Sequence, residues 1–181
     1  MAGTRTDNDT LNNTLVYFAQ NIMNKMELKD WFLAYGTLLG IVRDKSCIEW
    51  DDDIDILVSE DYWEIIRDRI SELGIGFSEQ VGGNGTTQKG IMKTESTDEF
   101  ASVDFYFAEV SSDGDFFDKW EKSTWVKCKD IIKINWHGVV LQLPKNYESK
   151  LVARYGDWKT PSNSKRNSID PQLPRGPKRF E

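Results

Sequence analysis

Residues 31–58, WFLAYGTLLGIVRDKSCIEWDDDIDILV, form the stretch that decides the fold. An apolar run ends there at a Gly-Thr pair, and four aspartates in five positions lead into a second apolar run. Side chains alternate between the two faces of a strand, so a strand that begins at Asp53 places Asp53 and Asp55 on one face and the branched apolar residues on the other. The sequence therefore predicts two carboxylates side by side at one end of a sheet.

Two carboxylates on one face repel each other unless a cation lies between them. Hard divalent ions such as Mg²⁺ favour oxygen ligands of this kind together with substrate phosphates. The pair Asp53 and Asp55 therefore indicates metal-assisted phosphoryl or nucleotidyl transfer.

Three other interpretations of the acidic run compete with this one. A solvated surface is common for charge runs, but it does not require the apolar alternation that continues to Val58. A calcium loop of the EF-hand type starting at Asp51 fails, because its glycine position holds Ile56 and its final glutamate position holds Tyr62. A helix N-terminus at Asp51 and Asp52 is disfavoured by the Ile-Asp-Ile-Leu-Val sequence that follows.

The whole chain has the size and composition of one soluble globular domain. It has 181 residues, 39% of them hydrophobic and 29% charged, with a formal net charge of −7. An acidic chain is a poor general nucleic-acid binder, since that affinity comes largely from Lys and Arg. No apolar run approaches the ~20 residues of a membrane span, and the N-terminus is not a signal peptide, so we expect a cytosolic protein.

The predicted order of elements is that of an α+β domain over residues 1–160. It comprises an amphipathic helix at 8–28, a strand at 31–35 ended by Gly36 and Thr37, a helical turn at 37–43, a strand at 53–58, a helix at 59–73, strands at 75–81 and 89–94 around a glycine-rich loop at 82–85, a strand at 101–110, short β segments within 115–143, and a helix at 145–154 capped by Gly156.

Asp104 is a lone aspartate in the apolar and aromatic strand 101–110. A buried unpaired carboxylate is costly, so this residue needs a partner. Asp104 is either a satisfied hydrogen-bonding group or a third carboxylate beside Asp53 and Asp55, where it completes a metal site or acts as a general base.

Two further groups of residues have open interpretations. Cys47 and Cys128 are expected to be free thiols, although a disulfide between them stays open, and with one histidine they cannot form a structural zinc site of four ligands without carboxylates. The proline-rich basic tail, 161–181, is expected to be solvated and partly disordered, and the alternative folds it over the acidic mouth.

Three blocks of sequence resemble the LicD family, which includes fukutin and fukutin-related protein, within the polymerase-β-like nucleotidyltransferase superfamily. The blocks are YGTLLG with Arg43 and IEWDDDIDI at residues 35–56, SVDF at residues 102–105, and YGDW with Pro161 at residues 155–161. Glu49 stands where the family usually has proline.

The resemblance implies a nucleotidyltransferase-like mixed β-sheet flanked by helices. It also implies that Gly36 and Thr37 lie near the donor phosphates, and that Asp53, Asp55 and Asp104 surround one or two Mg²⁺ or Mn²⁺ ions. Family members transfer phosphocholine or ribitol phosphate from CDP-choline or CDP-ribitol to a sugar hydroxyl of a glycan or glycolipid, and the short chain favours a compact cytosolic enzyme.

The roles of several residues around this implied site stay open. Arg43 is expected to contact a phosphate, and the alternative is a salt bridge to Asp44 or Asp51. Asp104 is our predicted general base. Aromatic residues are expected to be structural rather than to stack on a base or enclose a choline cation; they are Tyr106, Trp120, Trp125, Trp136 and Trp158.

Two other functions remain alternatives. The same site would serve true nucleotidyl transfer, in which pyrophosphate leaves a nucleoside triphosphate. A non-catalytic nucleotide-binding module is disfavoured because all three carboxylates are present.

Overall fold

The computed structural model describes residues 6–82 and 90–161, and they form a mixed α+β arrangement as the sequence predicts. The helices are α1 (Asn8–Phe18), α2 (Tyr35–Arg43), α3 (Trp63–Glu72) and α4 (Tyr147–Tyr155). The strands are β1 (Trp31–Leu33), β2 (Asp53–Ser59), β3 (Phe77–Val81), β4 (Gly90–Thr94), β5 (Ser102–Val110), β6 (Asp115–Asp118), β7 (Ser123–Lys127), β8 (Ile131–Trp136) and β9 (Val139–Pro144).

The main sheet has seven strands and brings β2 and β5 together at its centre. Its order is β1-β2-β5-β4-β3, and β6 and β7 extend it from the end of β5. β2 and β5 are parallel, whereas every other pair is antiparallel. The parallel pairing places the starts of β2 and β5, which carry the aspartates, at the same edge of the sheet.

Helix α1 covers the apolar face of the two central strands. Asp7 caps it by accepting a hydrogen bond from the Thr10 N–H at 2.9 Å. Its buried stripe reaches the sheet at Phe18, whose ring centroid lies 6.2 Å from that of Phe105 on β5. The predicted helix over 8–28 ends earlier, because the α-helix gives way to a wider π-helical turn over Ala19–Asn24.

Helix α2 begins earlier than the sequence predicts. Tyr35, which we expected to end the strand, is the first residue of α2, and Gly36 lies in the first helical turn. Tyr35 has a φ of 47°, a left-handed conformation that is rare for a bulky residue. This sharp change of direction between β1 and α2 brings the start of the helix against β2.

Strands β8 and β9 form a separate hairpin beside β1. The side chain of Asn24 donates to the Val140 carbonyl and accepts from the Val140 N–H, both at 2.9 Å. Gln142 on the same strand donates to the Leu28 carbonyl at 3.2 Å. These bonds fix the hairpin to the segment that follows α1.

Several smaller predictions can be compared with the structure. Cys47 and Cys128 are both free. Gly156 follows α4 with a φ of 65°, as expected of a C-terminal cap. Of the predicted loop at 82–85 only Gly82, and of the tail at 161–181 only Pro161, belongs to the described residues. Within those residues, no helix is long and apolar enough to cross a membrane.

Candidate active site

Three aspartates converge where β2 and β5 start. Asp55 on β2 lies directly opposite Asp104 on β5, and Asp53 lies opposite Ser102. One carboxylate oxygen from each of Asp53, Asp55 and Asp104 can be chosen so that all three lie within 4.8 Å of one another. Asp55 and Asp104 are buried, whereas Asp53 is partly exposed at the mouth. The structure thus brings together the three carboxylates that the sequence singles out.

Burial and mutual repulsion make this cluster electrostatically unfavourable when it is fully charged. Burial, followed by the charges of Asp55 and Asp104, raises the pKa of Asp53 to about 10. Burial and the Asp104 charge raise the pKa of Asp55 well above its ordinary value. Burial also raises the pKa of Asp104, against the opposing effect of the Lys93 ammonium.

These residues fit a divalent cation. Carboxylate oxygens are the ligands that Mg²⁺ and Mn²⁺ prefer, and three of them lie within 4.8 Å of one another. Asp51 and Asp52 form a second such group with Asp53, which widens the acidic mouth toward solvent. A bound cation would remove the repulsion that raises the pKa values of the three central carboxyl groups.

Lys93 holds one oxygen of Asp104, and the other contacts of this carboxylate are long. Lys93, directly opposite Asp104 on β4, forms an ion pair with Oδ2, and the Tyr106 hydroxyl donates to the same oxygen at 3.4 Å. Within the described part of the chain, Oδ1 accepts a long hydrogen bond, 3.4 Å, from the Ser102 hydroxyl. Asp104 is therefore both partnered and oriented, so the two interpretations of this residue are compatible.

The first turn of α2 lies against the carboxylates. The Gly36 N–H donates to Oδ2 of Asp55 at 3.3 Å, and the Thr37 hydroxyl accepts from the Asp55 N–H at 2.8 Å. A Cβ atom at position 36 would lie 2.7 Å from a carboxylate oxygen of Asp51, so only glycine fits there without a shift. The N-cap residue, Ala34, makes no side-chain hydrogen bond, and the Asp55 carboxylate accepts from this first turn instead, at a position that suits an anion.

Arg43 is the predicted site residue that the structure leaves apart from the carboxylates. It is the last residue of α2, at the opposite end from Gly36. Its Nε and Nη2 atoms donate to the two carboxylate oxygens of Asp44, at 2.7 and 2.6 Å. This is the ion pair that the sequence offers as the alternative, and a phosphate contact for Arg43 stays a prediction.

Sequence reasoning missed three polar residues near the site: Lys93, Asp118 and Arg154. Asp118 is fully buried and accepts hydrogen bonds from the Tyr35 hydroxyl and from the Trp125 indole at 3.2 Å. The guanidinium of Arg154 lies over the Tyr35 ring. The available signal was a charged residue inside an apolar strand for Lys93, an aspartate directly after two phenylalanines for Asp118, and proximity to the YGDW block for Arg154.

The aromatic candidates pack in the core or at its rim. Trp125, Trp136, Trp158 and Tyr106 are buried, and Trp120 is partly buried against the same core. The Trp136 indole donates to the Lys45 carbonyl at 3.0 Å, which is a structural contact. The prediction of a structural role therefore agrees with their placement.

Comparison with known proteins identifies both a family and a fold. Residues 29–146 match the family described as LicD/FKTN/FKRP, nucleotidyltransferase domain. This span contains the YGTLLG and aspartate blocks and Asp104, whereas the YGDW block lies after it. No curated protein matches the chain.

Three solved structures share the fold at low sequence identity. Lincosamide antibiotic adenylyltransferase LnuA, solved with lincomycin bound, is 16% identical with a TM-score of 0.55, over 78% of this chain and 84% of its own. TM1012 from Thermotoga maritima, which carries a provisional nucleotidyltransferase designation, is 17% identical with a TM-score of 0.50, over 82% and 88%. The antibiotic-resistance factor ANT(2'')-Ia is 14% identical with a TM-score of 0.53, over 85% and 78%. The predicted nucleotidyltransferase-like fold is confirmed.

Proposed function

The chain belongs to the LicD/FKTN/FKRP nucleotidyltransferase domain family, and we propose that it is a Mg²⁺-dependent phosphotransferase. It moves a phosphoalcohol, either phosphocholine or ribitol phosphate, from the CDP-activated donor to a sugar hydroxyl of a glycan or glycolipid precursor. The observation that carries this proposal is the convergence of Asp53, Asp55 and Asp104 beside the glycine-containing first turn of α2.

In this proposal the three aspartates hold the cation and α2 receives the donor phosphates. A divalent ion bound by Asp53, Asp55 and Asp104 would neutralise the negative charge that develops on the phosphate oxygens. The first turn of α2 lies at the same mouth, where the Gly36 N–H donates to Asp55, and a helix N-terminus attracts an anion.

The acceptor hydroxyl attacks the phosphorus that bears the alcohol, and the bond from that phosphorus to the oxygen of CMP breaks. CMP leaves with the bonding electron pair, and the hydroxyl proton passes to the carboxylate of Asp104, the predicted general base. Lys93 forms an ion pair with Oδ2 of the same carboxylate, which orients Asp104 before the acceptor arrives. Such positioning of charged groups supplies most of the catalysis in phosphoryl transfer.

A second candidate function is nucleotidyl transfer from a nucleoside triphosphate. It is favoured by the shared fold with LnuA, which is described as an adenylyltransferase. The acceptor would then attack the α-phosphorus, and pyrophosphate would leave. The same three carboxylates would serve both reactions, so the products distinguish them.

The test is to incubate the purified chain with Mg²⁺ and, in turn, CDP-choline, CDP-ribitol, CTP and ATP, and to follow the products by phosphorus NMR. We expect CMP from one CDP-alcohol, since water can replace the missing acceptor slowly. Pyrophosphate from CTP or ATP would instead support nucleotidyl transfer. No metal-dependent turnover of any donor would contradict both.

Two matched variants assign the turnover to the site. Asp53→Asn removes one carboxylate of the cluster and should abolish release of CMP. Asp68→Asn removes an exposed carboxylate on α3 that pairs with Arg67, and it should leave the rate unchanged. Equal loss in both variants would indicate a general effect of charge rather than a role for Asp53.

A further inference from the structure

The guanidinium of Arg154 is held by an ion pair at one nitrogen and by a stacking contact with an aromatic ring. It lies in the last turn of α4, and its Nη1 atom forms an ion pair with Glu121. Its guanidinium carbon lies 4.4 Å from the centroid of the Tyr35 ring. Tyr35 is itself immobilised, because its hydroxyl donates to buried Asp118 and its ring packs edge-to-face against that of Tyr106.

Among the described residues, the other edge of the same guanidinium makes no hydrogen bond, and the Tyr155 ring lies nearby, with its centroid 5.8 Å from the guanidinium carbon. Nε and Nη2 of Arg154 are buried, and neither has a hydrogen-bond partner among residues 6–82 and 90–161. Only 13% of the side chain is exposed, so bulk water is a poor substitute. Buried donors in folded proteins are nearly always satisfied, and the cost of leaving one unmade is greater for a charged group.

This edge belongs to a residue that lies beside the carboxylate site. Tyr35, which carries the guanidinium on its ring, directly precedes Gly36 in the first turn of α2. The positive charge of Arg154 also acts on Asp55, where it lowers the pKa against the larger effect of burial. Arg154 is thus a cation placed at the side of the mouth where the donor phosphates are expected.

We propose that the Nε–Nη2 edge of Arg154 binds a phosphate of the nucleotide donor. The two N–H groups of this edge match two phosphate oxygens in a bidentate contact, which a lysine cannot reproduce. The contact also offsets the repulsion between a diphosphate and the aspartates of the mouth. The edge is covered in this structure, so binding of a phosphate requires the side chains that cover it to move. The inference rests on the proposed function, which supplies the nucleotide.

The competing explanation is that Arg154 only braces α4 against the turn that carries Glu121. A brace depends on both partners of the ion pair, whereas a phosphate contact depends on the arginine alone. A brace also affects every ligand of the site alike. The contact with phosphate affects only ligands that carry one, so the nucleoside cytidine is the control ligand.

The experiment measures the dissociation constants of CDP-choline and of cytidine by calorimetry, with Mg²⁺ present, for the wild type and four variants. We expect Arg154→Met to weaken CDP-choline about 100-fold and Arg154→Lys about 10-fold, from the strength of charge-assisted hydrogen bonds, while cytidine is unchanged. Glu121→Gln should weaken the binding of CDP-choline less than Arg154→Lys does. Arg69→Met, at a partly buried arginine on α3 that pairs with Glu72, should match the wild type.

Three outcomes overturn the inference. The first is wild-type affinity for CDP-choline in both Arg154 variants; the second is an equal loss for cytidine; the third is an equal loss in Glu121→Gln. If Arg154→Met does not fold, the affinity of Arg154→Lys for CDP-choline tests the inference instead. If the wild type does not bind CDP-choline, the same comparison is made with CDP-ribitol. If it binds CTP but neither CDP-alcohol, the CDP-alcohol function fails and the comparison with CTP tests Arg154. If it binds none of these nucleotides, both proposals are wrong.

Discussion

Replacing Asp55 by asparagine should stabilise the metal-free protein and remove its response to metal. Asp55 is buried, and oxygens of Asp53 and Asp104 lie within 4.8 Å of its own. Two unit charges at that separation repel by about 3.5 kcal/mol at an effective dielectric constant of about 20. Proton uptake at the raised pKa values relieves part of this repulsion, so we expect a net gain of about 1–3 kcal/mol.

The size of this gain is within reach of a thermal melt. For a chain of this length, about 1 kcal/mol shifts Tm by about 2–4 °C, so the Asp55→Asn variant should melt about 2–12 °C higher than the wild type in a chelating buffer. The asparagine oxygen can still accept from the Gly36 N–H, which keeps the first turn of α2 in place. The gain therefore reports charge removal and not a change of packing.

Added Mg²⁺ should raise the stability of the wild type relative to Asp55→Asn and offset most or all of the variant's advantage. A ligand at about 100 times its Kd stabilises the folded state by about 2.7 kcal/mol. The wild type should gain this stabilisation when Mg²⁺ is added, and Asp55→Asn should not. Asp68→Asn is the control and should follow the wild type in both buffers. A lower Tm for Asp55→Asn in chelator, or an equal Mg²⁺ shift in both proteins, would refute the electrostatic description of the site.

Three further predictions follow from the same structure. The pKa of Asp53 is about 10 in the folded protein against an ordinary 3.8, so the folded metal-free protein keeps a proton that the unfolded chain releases. The free energy of unfolding, measured by urea titration with chelator present, should therefore rise as the pH falls from 7 to 5. Bound Mg²⁺ should reduce this pH dependence. Gly40→Ala should cost about 1–3 kcal/mol in urea unfolding, because a Cβ there would lie 2.6 Å from the Ser46 carbonyl oxygen; an unchanged midpoint would contradict that contact. Burial raises the pKa of Cys47 to about 12 and that of Cys128 to about 11, so both thiols should react slowly with a disulfide reagent at pH 8, the more buried Cys47 last.

The sequence predicts the carboxylates well because strand alternation is a local property. Once residues 53–58 are a strand, Asp53 and Asp55 must share a face, and the isolated Asp104 in a second apolar strand suggests that the two strands are neighbours. The α+β class and the family resemblance follow from the same blocks. The start of α2 was misjudged because an apolar run ending at glycine looks like the end of a strand, whereas Tyr35 already turns into the helix.

The parts that escaped prediction depend on contacts between distant segments. Lys93 meets Asp104 only because β4 pairs with β5 in a register that nothing local specifies. Arg154 reaches Tyr35 across more than 100 residues of chain, through the position of α4. Arg43 shows the converse, since its ion pair with the next residue was visible in the sequence as an alternative.

The Asn24 amide has a consequence for how the protein behaves at high concentration. An unpaired strand edge is a template for pairing with another molecule and so for aggregation. The N–H and the carbonyl of Val140 both face away from β8, yet each is already bonded to the side chain of Asn24. The Asn24 amide thus makes the two hydrogen bonds that a neighbouring strand would otherwise make at Val140. At this residue the hairpin cannot pair with a strand of another molecule.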